Sequence, residues 1–136
     1  MGISQVIVLD THIWIWWISN PEQLTENAKN AIEKGVAERT ICVSSICAWE
    51  VAMLVSKGRL QLTMDVNDWI SKSETLPFLH FEPVNNRIAM KAVGLPGYIH
   101  NDPVDRIIIA TALVLGAVLV TKDEKIRSYS HVKTVW

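Results

Sequence analysis

Short apolar runs alternate along this chain with longer stretches whose apolar residues recur every three or four positions. The short runs are Val6-Ile7-Val8-Leu9, Thr40-Ile41-Cys42-Val43, Leu79-His80-Phe81, Ala117 to Val120 and Val132 to Val135. Each has strand length and is bounded by polar or turn-forming residues. The first is apolar without interruption, the pattern of a strand buried on both faces of a parallel sheet. After Asp10, HIWIWWI predicts about two helical turns ending before Asn20-Pro21. Thr25 suits the N-cap of a helix through Ala28, Ala31 and Ile32, with Gly35 stopping it. Ser44 or Ser45 caps another helix reaching about Ser56, whose Ile46, Trp49, Met53 and Leu54 predict a core-facing stripe. Asp65 caps a helix carrying Val66, Trp69 and Ile70, and a further helix passes through Ile88, Met90 and Val93. The clearest helix opens at Asp102-Pro103-Val104-Asp105, with Asp102 at the N-cap, Pro103 first and Asp105 third in the helix. It continues through a segment apolar nearly all round, and Lys125 to Tyr129 forms a last short helix. Strands alternating with helices predict an α/β fold, a doubly wound parallel sheet flanked by helices.

Composition narrows this picture. The 136 residues predict a single domain over 1–136, and 49% hydrophobic against 20% charged residues predicts a globular one. A formal net charge of −1 excludes nucleic-acid binding by bulk charge and leaves only a local basic rim. Lys57, Arg59, Lys122, Lys125 and Arg127 are the side chains expected to form one. Cys42 and Cys47 make neither a disulfide framework nor a zinc site, and are expected as reduced, packed thiols of a cytoplasmic protein. No signal-peptide pattern precedes Asp10, and the uncharged stretch Ile107 to Thr121 is shorter than the roughly 20 residues a spanning helix needs. A soluble protein without membrane contact is expected. Trp14, Trp16 and Trp17 cannot all face one way on a helix, so at least one is expected to be exposed; core packing is the plainer role for them, and an exposed indole would mark a partner surface.

The chemistry lies in the acids. Asp10 sits where a fully apolar strand ends, and open α/β sheets bind ligands beyond the carboxyl ends of their strands. Asp105 and Asp123 lie in or before the first turns of helices, and Glu50 falls on the apolar stripe with Ile46. On this topology all four meet at one sheet edge. Such a cluster repels itself unless a cation sits within it, and hard oxygen donors without His or Cys at ligand spacing suit Mg²⁺ or Mn²⁺. One or two such ions activate water for in-line attack on a phosphodiester. Asp102 is first a helix cap, with a supporting role behind a ligand in reserve. Thr11 and Thr121 offer hydroxyls to orient ligands or water, Arg106 is expected to pair with a site carboxylate or a phosphate, and His12 to reach phosphate at most.

Taken together, Asp10-Thr11 after the first strand, Ser44-Ser45-x-x-x-Trp49-Glu50, Asp102-Pro103-x-Asp105-Arg106 leading into Ile109-Ala110-Thr111-Ala112, and Thr121-x-Asp123 resemble the PIN-domain ribonucleases. More closely, they resemble the VapC toxins of toxin–antitoxin pairs, over essentially the whole chain and in order. The resemblance implies a parallel sheet of about five strands ordered 3-2-1-4-5. It also implies a Mg²⁺- or Mn²⁺-dependent endoribonuclease with Asp10, Glu50, Asp105 and Asp123 as catalytic metal ligands. RNA would be cut to 5′-phosphate and 3′-hydroxyl ends, and the implied partners are a cognate antitoxin, a second copy in a homodimer and a higher toxin–antitoxin assembly. Two alternatives stand beside it. A non-catalytic interaction module on the same fold would have lost an acid, and all four are present. A phosphoacceptor or phosphatase-like domain would use Asp10 as nucleophile; in its haloacid-dehalogenase-like form it wants a second acid where this chain has His12.

Overall fold

The computed structural model describes residues 4–136; the first three residues of the expected domain lie outside the described residues. Five strands, β1 (Ile7–Leu9), β2 (Ile41–Ser44), β3 (Leu79–Glu82), β4 (Val118–Val120) and β5 (Thr134–Val135), form one sheet in the order β3-β2-β1-β4-β5. All pairings are parallel. The central strand β1 sets Ile7 opposite Ile41 on one side and Val118 on the other, and Leu9 opposite Val120. Its three residues are buried, as its unbroken apolar run requires. The chain leaves β1 for β2 on one side and returns for β4 on the other. The carboxyl edge between β1 and β4 is therefore the switch point at which α/β sheets open a crevice.

Among the described residues, seven α-helices connect and cover the strands: α1 (Thr11–Ser19), α2 (Glu26–Glu38), α3 (Ser45–Ser56), α4 (Val66–Glu74), α5 (Asn86–Val93), α6 (Pro103–Leu115) and α7 (Glu124–Arg127). The side-chain caps fall where the polar punctuation put them. Thr25 accepts from Ala28 N–H, Ser44 from Ile46 N–H, Asp65 from Asn67 N–H and Asp102 from Val104 N–H. Helix α6 ends on Gly116, whose φ of 62° is the left-handed turn that favours glycine.

Three expectations fail, each for a packing reason. Gly35 does not stop α2 but lies inside it, and Arg39 takes the left-handed cap position instead. A Cβ on Gly35 would overlap Ile41 Cδ1, so the residue is small to let the helix settle onto β1 and β2. On α3 the buried face is Cys47 and Val51, while Trp49 is 55% exposed. Ile46, Trp49 and Met53 instead line a groove shared with Pro103 and Ile107 of α6. The tryptophans of α1 face inward more than expected. Trp14 is fully buried between Trp69 and Phe81, and the partly buried Trp16 and Trp17 pack on Trp136 and Phe78. The exposed indole of this chain is Trp49. Cys42 and Cys47 are free and buried, and burial pushes the Cys42 thiol up to about 12, so neither is a nucleophile.

Candidate functional site

Asp10 is the first residue past β1, and its N–H still donates to the Val120 carbonyl of β4 at 3.0 Å. It is also the N-cap of α1, with Oδ1 accepting the Thr11 N–H at 2.8 Å. Oδ2 accepts the Thr121 hydroxyl at 2.7 Å. That hydroxyl, fully buried just after β4, accepts in turn the Asp123 N–H at 3.1 Å. One threonine thus ties the acid after β1 to the backbone of the acid after β4. Thr11 does its part differently from expectation. Its N–H holds Asp10, while its hydroxyl is buried without a hydrogen-bond partner among the described residues.

The remaining carboxylates arrive on helices. Asp105 lies in the first turn of α6, and Glu50 about a turn and a half into α3. Asp123 caps α7, accepting from the Lys125 and Ile126 N–H groups at 2.8 and 3.2 Å. Asp10, Glu50, Asp102, Asp105 and Asp123 line one cavity of about 340 Å³, together with His12, Ile13, Trp16 and Lys122. All four acids predicted for the site are therefore brought together, with Asp102 at the edge as both cap and wall.

Burial and neighbouring charge raise two of these carboxyls. Burial first, then the charges of Asp10, Asp102, Asp123 and Glu50, raise the Asp105 carboxyl to about 7. Burial also raises Asp10, with Glu50 adding to it, against the lowering pull of the Thr121 hydroxyl, the Thr11 N–H and His12. On the rim, Lys122 lies over the Trp16 ring, 5.5 Å from its centroid, and Trp16 also neighbours His12. Lys122 is the sole member of the expected basic rim to line this cavity. Lys125 opens onto a neighbouring hollow with Tyr98 and Tyr129, and Lys57, Arg59 and Arg127 line neither.

Arg106 is a correction. It reaches no site carboxylate; its guanidinium donates to the carbonyls of Ala92 (2.9 Å), Val93 (3.1 Å) and Ile99 (3.3 Å). It fastens the end of α5 and the loop after it to the start of α6. Tyr129 adds a second tie through its hydroxyl, which donates to the Pro96 carbonyl. The residue missed in the sequence is His100, at the end of this loop. Its Nε2 lies 3.2 Å from Asp105 Oδ2. No spacing signal marks it, because its contact depends on how the loop folds back.

Five carboxylates with one nearby lysine form an anionic hollow whose donor chemistry fits a hard divalent cation. Among the described residues no three of these side chains yet stand at distances that one ion would bridge, so binding requires side-chain rotations within the hollow.

Similarity to known proteins agrees with the geometry. The model of the PIN domain family matches residues 7–132. Ribonuclease VapC22 of Mycobacterium tuberculosis (strain ATCC 25618 / H37Rv) is 36% identical over 133 residues, covering 96% of this chain and 98% of that protein. Among solved structures, VapBC2 from Rickettsia felis, bound to a DNA fragment from its promoter, superposes with a TM-score of 0.71 at 20% identity, covering 96% of this chain and 97% of that one. FitAcB from Neisseria gonorrhoeae gives 0.66 at 21% identity, with 95% and 96% covered. At those identities the two structures speak to the fold alone.

Proposed function

This chain belongs to the PIN-domain family, alongside the VapC ribonucleases, and we propose that it is a metal-dependent endoribonuclease acting as the toxin of a toxin–antitoxin pair. The observation that carries the reading is the convergence of Asp10, Glu50, Asp105 and Asp123 on one cavity at the switch point between β1 and β4. Asp10, Glu50, Asp105 and Asp123 are the proposed ligands of Mg²⁺ or Mn²⁺. When bound, such an ion supplies an acidified water and offsets charge on the phosphodiester.

The chain's own residues then divide the work. Thr11 and Thr121 hold both oxygens of Asp10, so its direction into the cavity is set before anything binds. Glu50 and Asp105 complete the anionic wall from α3 and α6, and Asp123 from the far side. Lys122 and His12 on the rim give an RNA phosphate the positive or hydrogen-bonding contact that the net charge of −1 hides.

The proposed setting is a single domain over 1–136, active in the cytoplasm; no helix among the described residues is long and apolar enough to cross a membrane. The proposed partners are RNA, a cognate antitoxin and a second copy of the chain. Support for a protein partner is the groove lined by Ile46, Trp49, Met53, Pro103 and Ile107, which runs beside Glu50 and Asp102 and leaves an indole in solvent. Purified protein should cut structured RNA with Mg²⁺ or Mn²⁺, and EDTA or Asp10→Asn should reduce cleavage to background. Equal cutting by Asp10→Asn would refute the site. Expression without the partner gene should arrest growth; an active enzyme that is harmless when expressed alone would refute the toxin role.

A further inference from the structure

We infer that His100 is the positioning residue of Asp105, holding one carboxylate oxygen so that the other stays turned toward the cation. The inference rests on the metal-dependent reading above and concerns a residue outside the four acids.

His100 is placed by its neighbours on both sides of the ring. Nδ1 accepts the Asp102 N–H at 3.3 Å, which leaves the ring hydrogen on Nε2. Nε2 is shut off from solvent, and among the described residues it makes no well-aligned hydrogen bond. The acceptor beside it is Asp105 Oδ2, at 3.2 Å but off the line of the N–H. A buried donor left in this state is costly, and a small turn of Asp105 satisfies it. That same turn fixes the plane of the carboxylate. Because Nδ1 is engaged with the helix cap and Nε2 faces a carboxylate in the first turn, the ring spans the N-terminus of α6 and registers Asp105 against it.

The backbone behind His100 is equally constrained. Ile99 is buried and its carbonyl is held by Arg106, while Pro96 is held by Tyr129. A ring on a free loop would lose more entropy than one contact returns; a ring on an anchored loop does not. Groups behind a metal ligand typically change metal affinity by about 10–100-fold when removed.

The test compares the full-length wild type, His100→Ala and His100→Gln by calorimetric titration with Mn²⁺, alongside the melting temperature of each in EDTA. His100→Ala should bind Mn²⁺ about tenfold more weakly, with a melting temperature in EDTA close to wild type. The amide nitrogen of His100→Gln reaches the Nε2 position and should recover most of the affinity. Should the alanine variant not fold, His100→Asn replaces it, since its amide reaches Nδ1 but falls short of Nε2; the same loss is expected. An alanine variant that binds like wild type, or a glutamine variant that falls as far as alanine, overturns the assignment and leaves His100 only as an acceptor for the Asp102 N–H. A wild type that binds no Mn²⁺ overturns the metal-dependent reading itself, which the other two failures leave standing.

Discussion

The two walls of the carboxylate cavity are built on different principles. The Asp10 wall grows out of the sheet: the acid follows β1 directly, hydrogen-bonds to β4 through its backbone, and has each carboxylate oxygen tied to a residue next to a strand end. The Asp105 wall grows out of a helix start and a loop. Its carboxylate faces His100, and His100 stands where it does because Arg106 and Tyr129 hold the preceding loop. Position on the first wall is a by-product of forming the sheet. On the second it depends on a few long-range polar ties, so it should be the wall that substitutions loosen first.

The largest effect is expected at the clamp. Arg106→Ala removes three charge-assisted hydrogen bonds to carbonyls and should cost about 3 kcal/mol of stability, seen as a fall of about 10 °C in melting temperature. Amide exchange should rise across Leu95 to Asn101 while β1 and β4 stay protected. Arg106→Lys, with one point charge instead of a fork, should regain less than half. A variant that melts with the wild type would mean that the second wall does not depend on its clamp.

A smaller effect tests the second wall by pH. In the protein without divalent ion, Asp105 titrates at about 7 against an ordinary 3.8, mainly because it is buried. Below 3.8 both folded and unfolded chains hold this proton, and its contribution to stability is fully present. As pH rises the unfolded chain ionises first, so stability falls, and the contribution is gone above about 7. The loss between pH 5 and pH 8 should be on the order of 2 kcal/mol in urea titrations with EDTA. Asp105→Asn should flatten that slope and be the more stable protein at pH 8, a gain of stability at the expense of function. Asp10, whose carboxyl burial also raises, should add a slope of the same sign, so Asp10→Asn should likewise gain stability at pH 8. Equal pH slopes in wild type and Asp105→Asn would mean that Asp105 does not carry this dependence.

The same division governs what the sequence could reveal. Strand positions, helix caps and the positions of Asp10, Asp105 and Asp123 are written in local patterns: apolar runs, Asp-Pro at a helix start, an acid after a strand; the strand order follows from the family resemblance. Glu50 was found, but the apolar stripe taken as its setting is a half-open groove, since helical spacing does not distinguish a core from a surface cleft. Gly35 is ambiguous for a related reason. A glycine that ends a helix and one that lets it approach a sheet look alike until Ile41 is in place. Arg106 beside Asp105 suggested an ion pair, yet its partners lie 7, 13 and 14 residues away, on carbonyls that carry no sequence signature. His100 was invisible because its role exists only once that loop is closed.

The smallest effect tests whether the first wall is as self-sufficient as it looks. Thr121→Val keeps the shape of the side chain but removes the hydroxyl that donates to Asp10 Oδ2 and accepts from Asp123 N–H. Asp10 retains its backbone bond to Val120 and the Thr11 N–H, so the fold should lose only about 1 kcal/mol. Cleavage should fall by about tenfold as one oxygen of the ligand goes free. Thr121→Ser restores the hydroxyl without the methyl and should recover most of the activity, which a defect in packing alone would not allow. Melting curves and cleavage rates of the pair decide the matter. If Thr121→Val destabilises the protein as much as Arg106→Ala, the sheet does not hold Asp10 on its own, and both walls depend on single polar ties.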